Sequence, residues 1–370
     1  MKYNVTMFIP SMTGGGAERI VANLLNNFDP NFYNLSLVVL KSGTSYQLPR
    51  YVKVDVLRSN NLKSVLPELI NYFKNNKIDL LISHMSLTNI VALLAMRTSK
   101  RKFPIIAVEH STASIKYKSE GAIRRFIPML MKFTYRWAER IVCVSKASSQ
   151  DLTSILKFEN NKILTIYNPV VSDEIIKKKN EDVHHKWLDN TNLKVIIGIG
   201  RFEKVKNFPL LIDSFNKVYE TNNKTRLLIL GEGKERQVLE EKIADLHLEE
   251  VIDMPGFVSN PYAYLGKASL FVLSSNFEGL PTVIIESLAC GTPIVSTDCP
   301  SGPREILNNG EYGKIVPVNN VEALAQAILE QLNTKHNNKR LEDRANDFTI
   351  EKSVSNYNEL IKSILEKEIR

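Results

Sequence analysis

Two glutamates stand eight positions apart in the segment Ser274-Ser275-Asn276-Phe277-Glu278-Gly279-Leu280-Pro281-Thr282-Val283-Ile284-Ile285-Glu286. Paired carboxylates can share acid and base work in hydrolysis. They also accept hydrogen bonds from several sugar or ribose hydroxyls. An apolar run ends at Ser274, and Pro281 is predicted at the first helical position, where its missing N–H removes no helical bond. Glu278 then lies just before the helix and Glu286 about two turns inside it. Eight positions at about 100° each leave an offset of roughly 80°, so both carboxylates are expected to line one pocket. Capping and surface charge explain the spacing equally well.

A second cluster, Gly200-Arg201-Phe202-Glu203-Lys204-Val205-Lys206-Asn207, directly follows another apolar run. Arg201 offers a planar fork and Lys206 a compact charge, which together suit a diphosphate at a strand's carboxyl end. By spacing alone, a solvated loop is the competing account. A third candidate is Gly14-Gly15-Gly16-Ala17-Glu18-Arg19, where glycines would let backbone N–H groups approach a phosphate at a helix start. A dinucleotide fingerprint would need Gly or Ala at position 19, which is Arg19. His110 and His84 each close an apolar run, as a structural strand-end histidine also would.

Positioning these groups requires parallel strands. Val5 to Pro10, Leu35 to Leu40, Leu80 to Ser83, Ile105 to Glu109, Ile141 to Ser145 and Ile163 to Tyr167 read as buried strands, with helical crossovers such as Ala17 to Phe28 and Val65 to Asn75. The alternation stops at Asn168-Pro169. A polar stretch from Ser172 to Asn192 is read as the connection, with a short helix. Strands resume at Val195 to Gly200, Arg226 to Gly231, Val251 to Met254, Leu270 to Ser274 and Pro293 to Thr297. Ile350 to Ile369 carries apolar residues at helical spacing. The expectation is an α/β chain of two Rossmann-like domains facing a central cleft, 1–170 and 171–349, with a helix over 350–370. Ligands are expected at the carboxyl ends of the strands.

At 370 residues, 44% hydrophobic and 24% charged, the chain is long enough for two cores and too apolar for disorder. Residues 1–170 hold 23 Lys+Arg against 10 Asp+Glu, and residues 171–370 hold 25 against 30, so the halves carry +13 and −5. The basic half points to an anionic partner such as a phosphate ligand or membrane surface. Nucleic acid is disfavoured by the acidic second half and the lack of a nucleic-acid-binding signature. Cys143, Cys290 and Cys299 lack metal-ligand spacing and read as buried thiols. No run reaches the roughly 18 apolar residues of a membrane span, and a cytoplasmic location is expected.

Glycine loop, Gly-Arg…Lys-Asn and Glu-x7-Glu, in this order and at these distances, resemble glycosyltransferase family 4, of GT-B architecture, along nearly the whole chain. Its most specific part is Glu278-Gly-Leu-Pro…Glu286-Ser-Leu-Ala-Cys-Gly-Thr-Pro. The resemblance implies a retaining transferase that moves a hexose or N-acetylhexosamine from a nucleotide sugar, with UDP the commonest carrier, without metal or other cofactor. It implies that Arg201 and Lys206 neutralise the donor diphosphate and that Glu286 binds the ribose. Glu278, Gly279, Leu280, Pro281, Thr282 and Val283 would hold the sugar and distal phosphate. Gly256, Phe257 and Val258 fall where the base binds, and His110 beside the transferred sugar; Gly14, Gly15 and Gly16 would add amides to the leaving phosphates. The helix over 350–370 matches a segment returning to the first domain.

Between Ile115 and Arg140 seven basic residues alternate with Phe126, Ile127, Met129, Leu130, Met131, Phe133 and Trp137, a pattern that suits a helix on an anionic membrane or a core helix with a basic face. The segment resembles that of bacterial members extending lipid-diphosphate-linked saccharides for surface glycans such as capsule or lipopolysaccharide, including N-acetylgalactosaminyltransferases. Arg124, Arg125 and Lys132 are the expected acceptor-binding cations, and the inner face of the cell membrane the expected place. A UDP-sugar epimerase of the same architecture and a non-catalytic membrane-surface nucleotide-binding protein are the alternatives. The motif spacing favours transfer.

Overall fold

The computed structural model describes residues 2–59, 64–114, 117, 126–158 and 161–367. Two compact units result: Met1–Val170 together with Ile350–Arg370, and Val171–Thr349. Each is a parallel sheet with helical crossovers.

In the first unit the strands are β1 (Tyr3–Phe8), β2 (Tyr33–Val39), β3 (Lys53–Val56), β4 (Leu80–His84), β5 (Ile105–Glu109), β6 (Arg140–Cys143) and β7 (Ile163–Thr165), in the spatial order β3-β2-β1-β4-β5-β6-β7. All five residues of β4 and of β5 are buried, as expected of strands covered on both faces. The chain runs outward from β1 to β3, then returns to the other side of β1 with β4. Where the order reverses, the carboxyl ends of β1 and β4 are neighbours that no single crossover spans. The glycine loop leaves β1 there, and His84 ends β4.

The second unit repeats the scheme with β8 (Lys194–Ile199), β9 (Thr225–Leu230), β10 (Ile252–Gly256), β11 (Leu270–Leu273), β12 (Ile294–Thr297) and β13 (Lys314–Val316), ordered β10-β9-β8-β11-β12-β13. Its reversal lies between β8 and β11. Arg201 and Lys206 follow β8, and Glu278 follows β11.

Several boundaries differ from the sequence reading. The edge strands β3 and β13 were not expected, because both are short and β3 is largely exposed. The stretch from Ser172 to Asn192 is not a free connection: it belongs to the second unit, with a helix over Asp173–Lys178, a buried Trp187, and His185 bonded to Asp253 at 2.9 Å. Pro281 is the residue before the Thr282–Cys290 helix rather than its first position. Glu278 is therefore four residues outside the helix, and the helical offset assumed for Glu278 and Glu286 does not apply. Nor is Ile115 to Arg140 one helix among the described residues, since Ile127–Thr134 is followed by a short 3₁₀ turn and Arg140 opens β6. All three cysteines are buried and unbridged.

The last helix, Ile350–Leu365, completes the first unit's core. Val354, Tyr357, Leu360, Ile361 and Ile364 pack with Val21, Leu24, Leu25 and Phe28 of the helix and turn after β1, and the Ser353 hydroxyl donates to the Tyr167 carbonyl at 2.8 Å. Ile361 is fully buried. Ile361→Ala should cost about 2–5 kcal/mol, read as a lower denaturant midpoint. An unchanged midpoint would mean that this helix adds nothing to that core.

Candidate functional site

The second unit gathers most of the candidate residues at the β8–β11 reversal. Lys206 Nζ lies 2.6 Å from Glu278 Oε1, with the lysine side chain 22% and the glutamate 14% exposed. The Ser275 hydroxyl donates to the same oxygen at 2.7 Å. The backbone holds this pair in register: Asn276 N–H donates to the Val205 carbonyl and the Ser274 hydroxyl to the Lys206 carbonyl, both at 2.8 Å. Asn207, left-handed at φ +48, donates to the Asn276 and Asn319 side chains. Two loops separated by about 70 positions are thus tied together, with cation and carboxylate between them. Arg201 is more exposed and bridges to Glu203 at 3.2 Å.

Beyond Glu278 the chain turns through Gly279, Leu280 and Pro281 into the Thr282–Cys290 helix. The Ser301 hydroxyl donates to the Gly279 carbonyl at 2.7 Å, and Gly302, at φ +92, comes so close that a Cβ there would stand 2.3 Å from the Pro281 ring. Pro281, the residue before this helix, offers no side-chain cap, and the helix dipole places its positive end at this turn. Leu280 and Val283 are buried beneath it, and Glu286 is 4% exposed. This arrangement offers a cation and helix amides to phosphate oxygens, and carboxylates to hydroxyls.

Phe257 stands 82% exposed just after β10, with Val258 half-buried beside it. The neighbouring turn, Gly231-Glu232-Gly233, escaped the sequence reading. A Cβ on Gly231 would lie 1.9 Å from the Gly200 carbonyl oxygen, and one on Gly233 2.4 Å from that of Phe202. Only glycine lets this turn lie against the Arg201 loop. Two glycines flanking a glutamate at a strand's end were the available signal.

In the first unit Gly14 has φ +106, and the Gly15 N–H and carbonyl are both engaged by the Tyr46 hydroxyl, at 3.1 and 2.8 Å. Nothing lies within 4 Å of a Cβ placed on Gly16. The loop is thus braced on one side and open on the other. His84 Nδ1 and His110 Nε2 are 3.0 Å apart, with the rings stacked. Burial, and then the neighbouring His110, hold the His84 imidazole well below its ordinary value, so it is neutral. Met85 turns at φ +77, rare for a bulky residue, with its N–H held by the Val108 carbonyl at 3.0 Å. That turn brings Ser86 and Asn89 onto Glu109, a buried group with Tyr135 that the sequence reading also missed.

Of the expected acceptor cations, Lys132 is exposed on the Ile127–Thr134 helix, whereas Arg124 and Arg125 lie outside the described residues. Phe126, Met129, Leu130 and Phe133 on and beside that helix are 46–64% exposed. No described helix is long and apolar enough to cross a membrane.

The half-buried ion pair makes a checkable claim. Removing one partner leaves an uncompensated charge, whereas removing both does not. Lys206→Met should destabilise the chain by on the order of 1–2 kcal/mol more than Lys206→Met combined with Glu278→Gln, read as a lower melting temperature. Equal melting temperatures for the two variants would show that the pair is not coupled.

Comparison with known proteins follows the same division of the chain. The model for Glycosyltransferase Family 4 matches residues 14–174, and that for Glycosyl transferases group 1 matches residues 179–348. Over 336 residues the chain is 32% identical to the N-acetylgalactosamine-N,N'-diacetylbacillosaminyl-diphospho-undecaprenol 4-alpha-N-acetylgalactosaminyltransferase of Campylobacter jejuni, which covers 88% of this chain and 89% of that protein. It is 29% identical to a second transferase of that organism, the GalNAc-alpha-(1->4)-GalNAc-alpha-(1->3)-diNAcBac-PP-undecaprenol alpha-1,4-N-acetyl-D-galactosaminyltransferase, over 94% of each chain. HepE of Anabaena, solved with UDP and glucose, shares the fold with a TM-score of 0.79 over 98% of this chain and 100% of that one, at 18% identity. With both halves matched and a relative above 30% identity along most of its length, the chain belongs to glycosyltransferase family 4 and has the paired Rossmann-like halves of the GT-B class.

Proposed function

We propose that this glycosyltransferase is a retaining enzyme that moves a hexose or N-acetylhexosamine from a UDP-sugar to a lipid-diphosphate-linked saccharide in bacterial surface glycan synthesis. The observation that carries the reading is the Lys206–Glu278 pair in the turn that leads into the Thr282–Cys290 helix. A donor's diphosphate takes over the Lys206 ammonium and the helix amides, with Arg201 as a second cation. Glu278 is then released to accept hydroxyls of the transferred sugar. Glu286 serves the ribose, and the Gly256-Phe257-Val258 segment the base. In the first unit, His110 and the glycine loop Gly14 to Gly16 are the residues assigned to transfer in this reading, with the Gly15 N–H held by Tyr46.

The chemistry then asks for positioning and charge stabilisation rather than a protein nucleophile. The acceptor hydroxyl attacks from the face of the departing diphosphate, whose oxygen takes its proton. Two cations and a helix dipole supply the countercharge without metal or other cofactor. The alpha linkages in the relatives' names support retention, because nucleotide sugars of this class carry the sugar in the alpha configuration. The same names support an undecaprenol-diphosphate acceptor. The exposed Phe126, Met129, Leu130 and Phe133, with Lys132 and Arg136 beside them, suit a helix resting on an anionic inner membrane face, where Arg124, Arg125 and Lys132 meet the acceptor's diphosphate.

Purified protein incubated with UDP-, GDP- and ADP-sugars and a short undecaprenol-diphosphate-linked saccharide should release UDP only when acceptor is present, and the acceptor should gain one sugar with retained configuration. Conversion of the donor sugar without acceptor would replace transfer with epimerisation. Arg201→Ala should lower turnover about 10²- to 10³-fold at an unchanged melting temperature, since its bridge to Glu203 is exposed; unaltered turnover would remove its assigned role. Met129→Ser with Phe133→Ser should weaken sedimentation with phosphatidylglycerol vesicles about tenfold or more. Undiminished sedimentation would place the membrane contact elsewhere.

A further inference from the structure

Glu109 ends β5 with 1% of its surface exposed, one residue before His110. A carboxylate in a dry interior costs several kcal/mol unless hydrogen bonds repay its lost hydration. Three neutral donors converge on it. The Ser86 hydroxyl donates at 2.6 Å and the Asn89 amide at 3.1 Å, both from the first turn of the Ser86–Ser99 helix, whose dipole also favours negative charge. The third is the Tyr135 hydroxyl. Burial, and then the adjacent Glu109, push that hydroxyl well above its ordinary value, so it stays protonated and donating. The same Asn89 nitrogen also lies within bonding distance of the Val108 carbonyl at 3.0 Å and the Tyr135 oxygen at 3.1 Å, so its two hydrogens are shared among three acceptors.

An apolar residue would fill this strand end at far lower cost. What the carboxylate adds is a fixed connection among three elements: β5 with His110 next in the chain, the helix that follows His84, and Tyr135. Tyr135 is fully buried and directly follows the Ile127–Thr134 helix, whose other face exposes Met129, Leu130 and Phe133. Arg136, next after Tyr135, lies over the Phe133 ring at 5.3 Å. The buried hydroxyl and the exposed apolar face thus belong to one short rigid piece.

We propose that Glu109 is a positioning residue which, through Tyr135, sets the register of the Ile127–Thr134 helix against His110, so that the surface meeting the lipid-linked acceptor and the centre of sugar transfer keep one geometry. This inference rests on the reading of that helix as the acceptor and membrane side. Glu109 itself touches neither substrate. Losing the Tyr135 hydroxyl should let the helix shift against the strand end by a fraction of an ångström, and displacements of that order weaken transfer without disturbing donor binding.

Tyr135→Phe removes a single oxygen and keeps the ring's packing. In the full chain, transfer to an undecaprenol-diphosphate-linked saccharide should fall roughly 10- to 100-fold in kcat with a raised acceptor KM, while donor KM and slow donor hydrolysis by water stay as in the wild type. Glu109→Gln, which keeps one acceptor oxygen, should retain more transfer than Glu109→Leu. Wild-type kcat and acceptor KM in Tyr135→Phe, or an equal loss of transfer and donor hydrolysis, would overturn the proposal. A readout independent of turnover is hydrogen exchange with phosphatidylglycerol vesicles. Wild-type protein should gain protection both in the Ile127–Thr134 helix and at Val108–Thr112, and Tyr135→Phe in the helix alone. Protection confined to the helix in the wild type, or identical patterns in both proteins, would sink the coupling even if transfer is confirmed. Absence of transfer in the wild type would instead count against the donor and acceptor reading.

Discussion

Parallel strands cannot be joined by hairpins, and each must be followed by a crossover that carries the chain back along the sheet. The candidate site depends on that constraint. Where crossovers diverge to opposite sides, two neighbouring strand ends are left uncovered, as at β1 and β4 and again at β8 and β11. Loops leaving such ends are short, aim at the same space and rest on buried strands that do not give. The glycine loop, His84, the Arg201–Asn207 loop and the Ser274–Pro281 turn each occupy one of these positions.

Charge at the β8–β11 reversal is paired near the surface rather than deep in the core. Lys206 and Glu278 satisfy each other at 2.6 Å while both stay partly exposed, so either one left alone would be an uncompensated charge. The rigidity comes from uncharged bonds around the pair. Ser275, Asn276 and Asn207 tie the loops by side-chain and backbone bonds, and Gly231 and Gly233 allow contact distances that no Cβ permits. These contacts hold the two loops to each other independently of the ion pair.

The first unit places its polar groups deeper. His84 is neutral in the interior, paired to His110, and Glu109 is held by Ser86, Asn89 and Tyr135. Buried polar groups of this kind are costly without hydrogen bonds. The strained turn at Met85 helps to make them, since it ends β4 at His84 and begins a helix at Ser86 within two residues.

Local regularities were legible in the sequence. Continuous apolar runs such as Ile105–Glu109 mark buried strands because both faces of a parallel sheet are covered, and the spacing of Tyr357, Leu360, Ile361, Ile364 and Leu365 marks one helical face. The order of Gly14–Gly16, Gly200-Arg201…Lys206-Asn207 and Glu278…Glu286 pointed to the family that the comparisons bear out. The edge strands β3 and β13 were hidden, because a short strand with one open side carries little apolar pattern. Tertiary structure alone decided the partnerships. Lys206 with Glu278, Gly231 against Gly200, and Glu109 with Tyr135 join residues 26 to 72 positions apart. Spacing along a chain reports periodicity within an element, whereas these contacts follow from which strands become neighbours. That is determined by burying both sheets' faces at once, a condition that no local stretch of sequence contains.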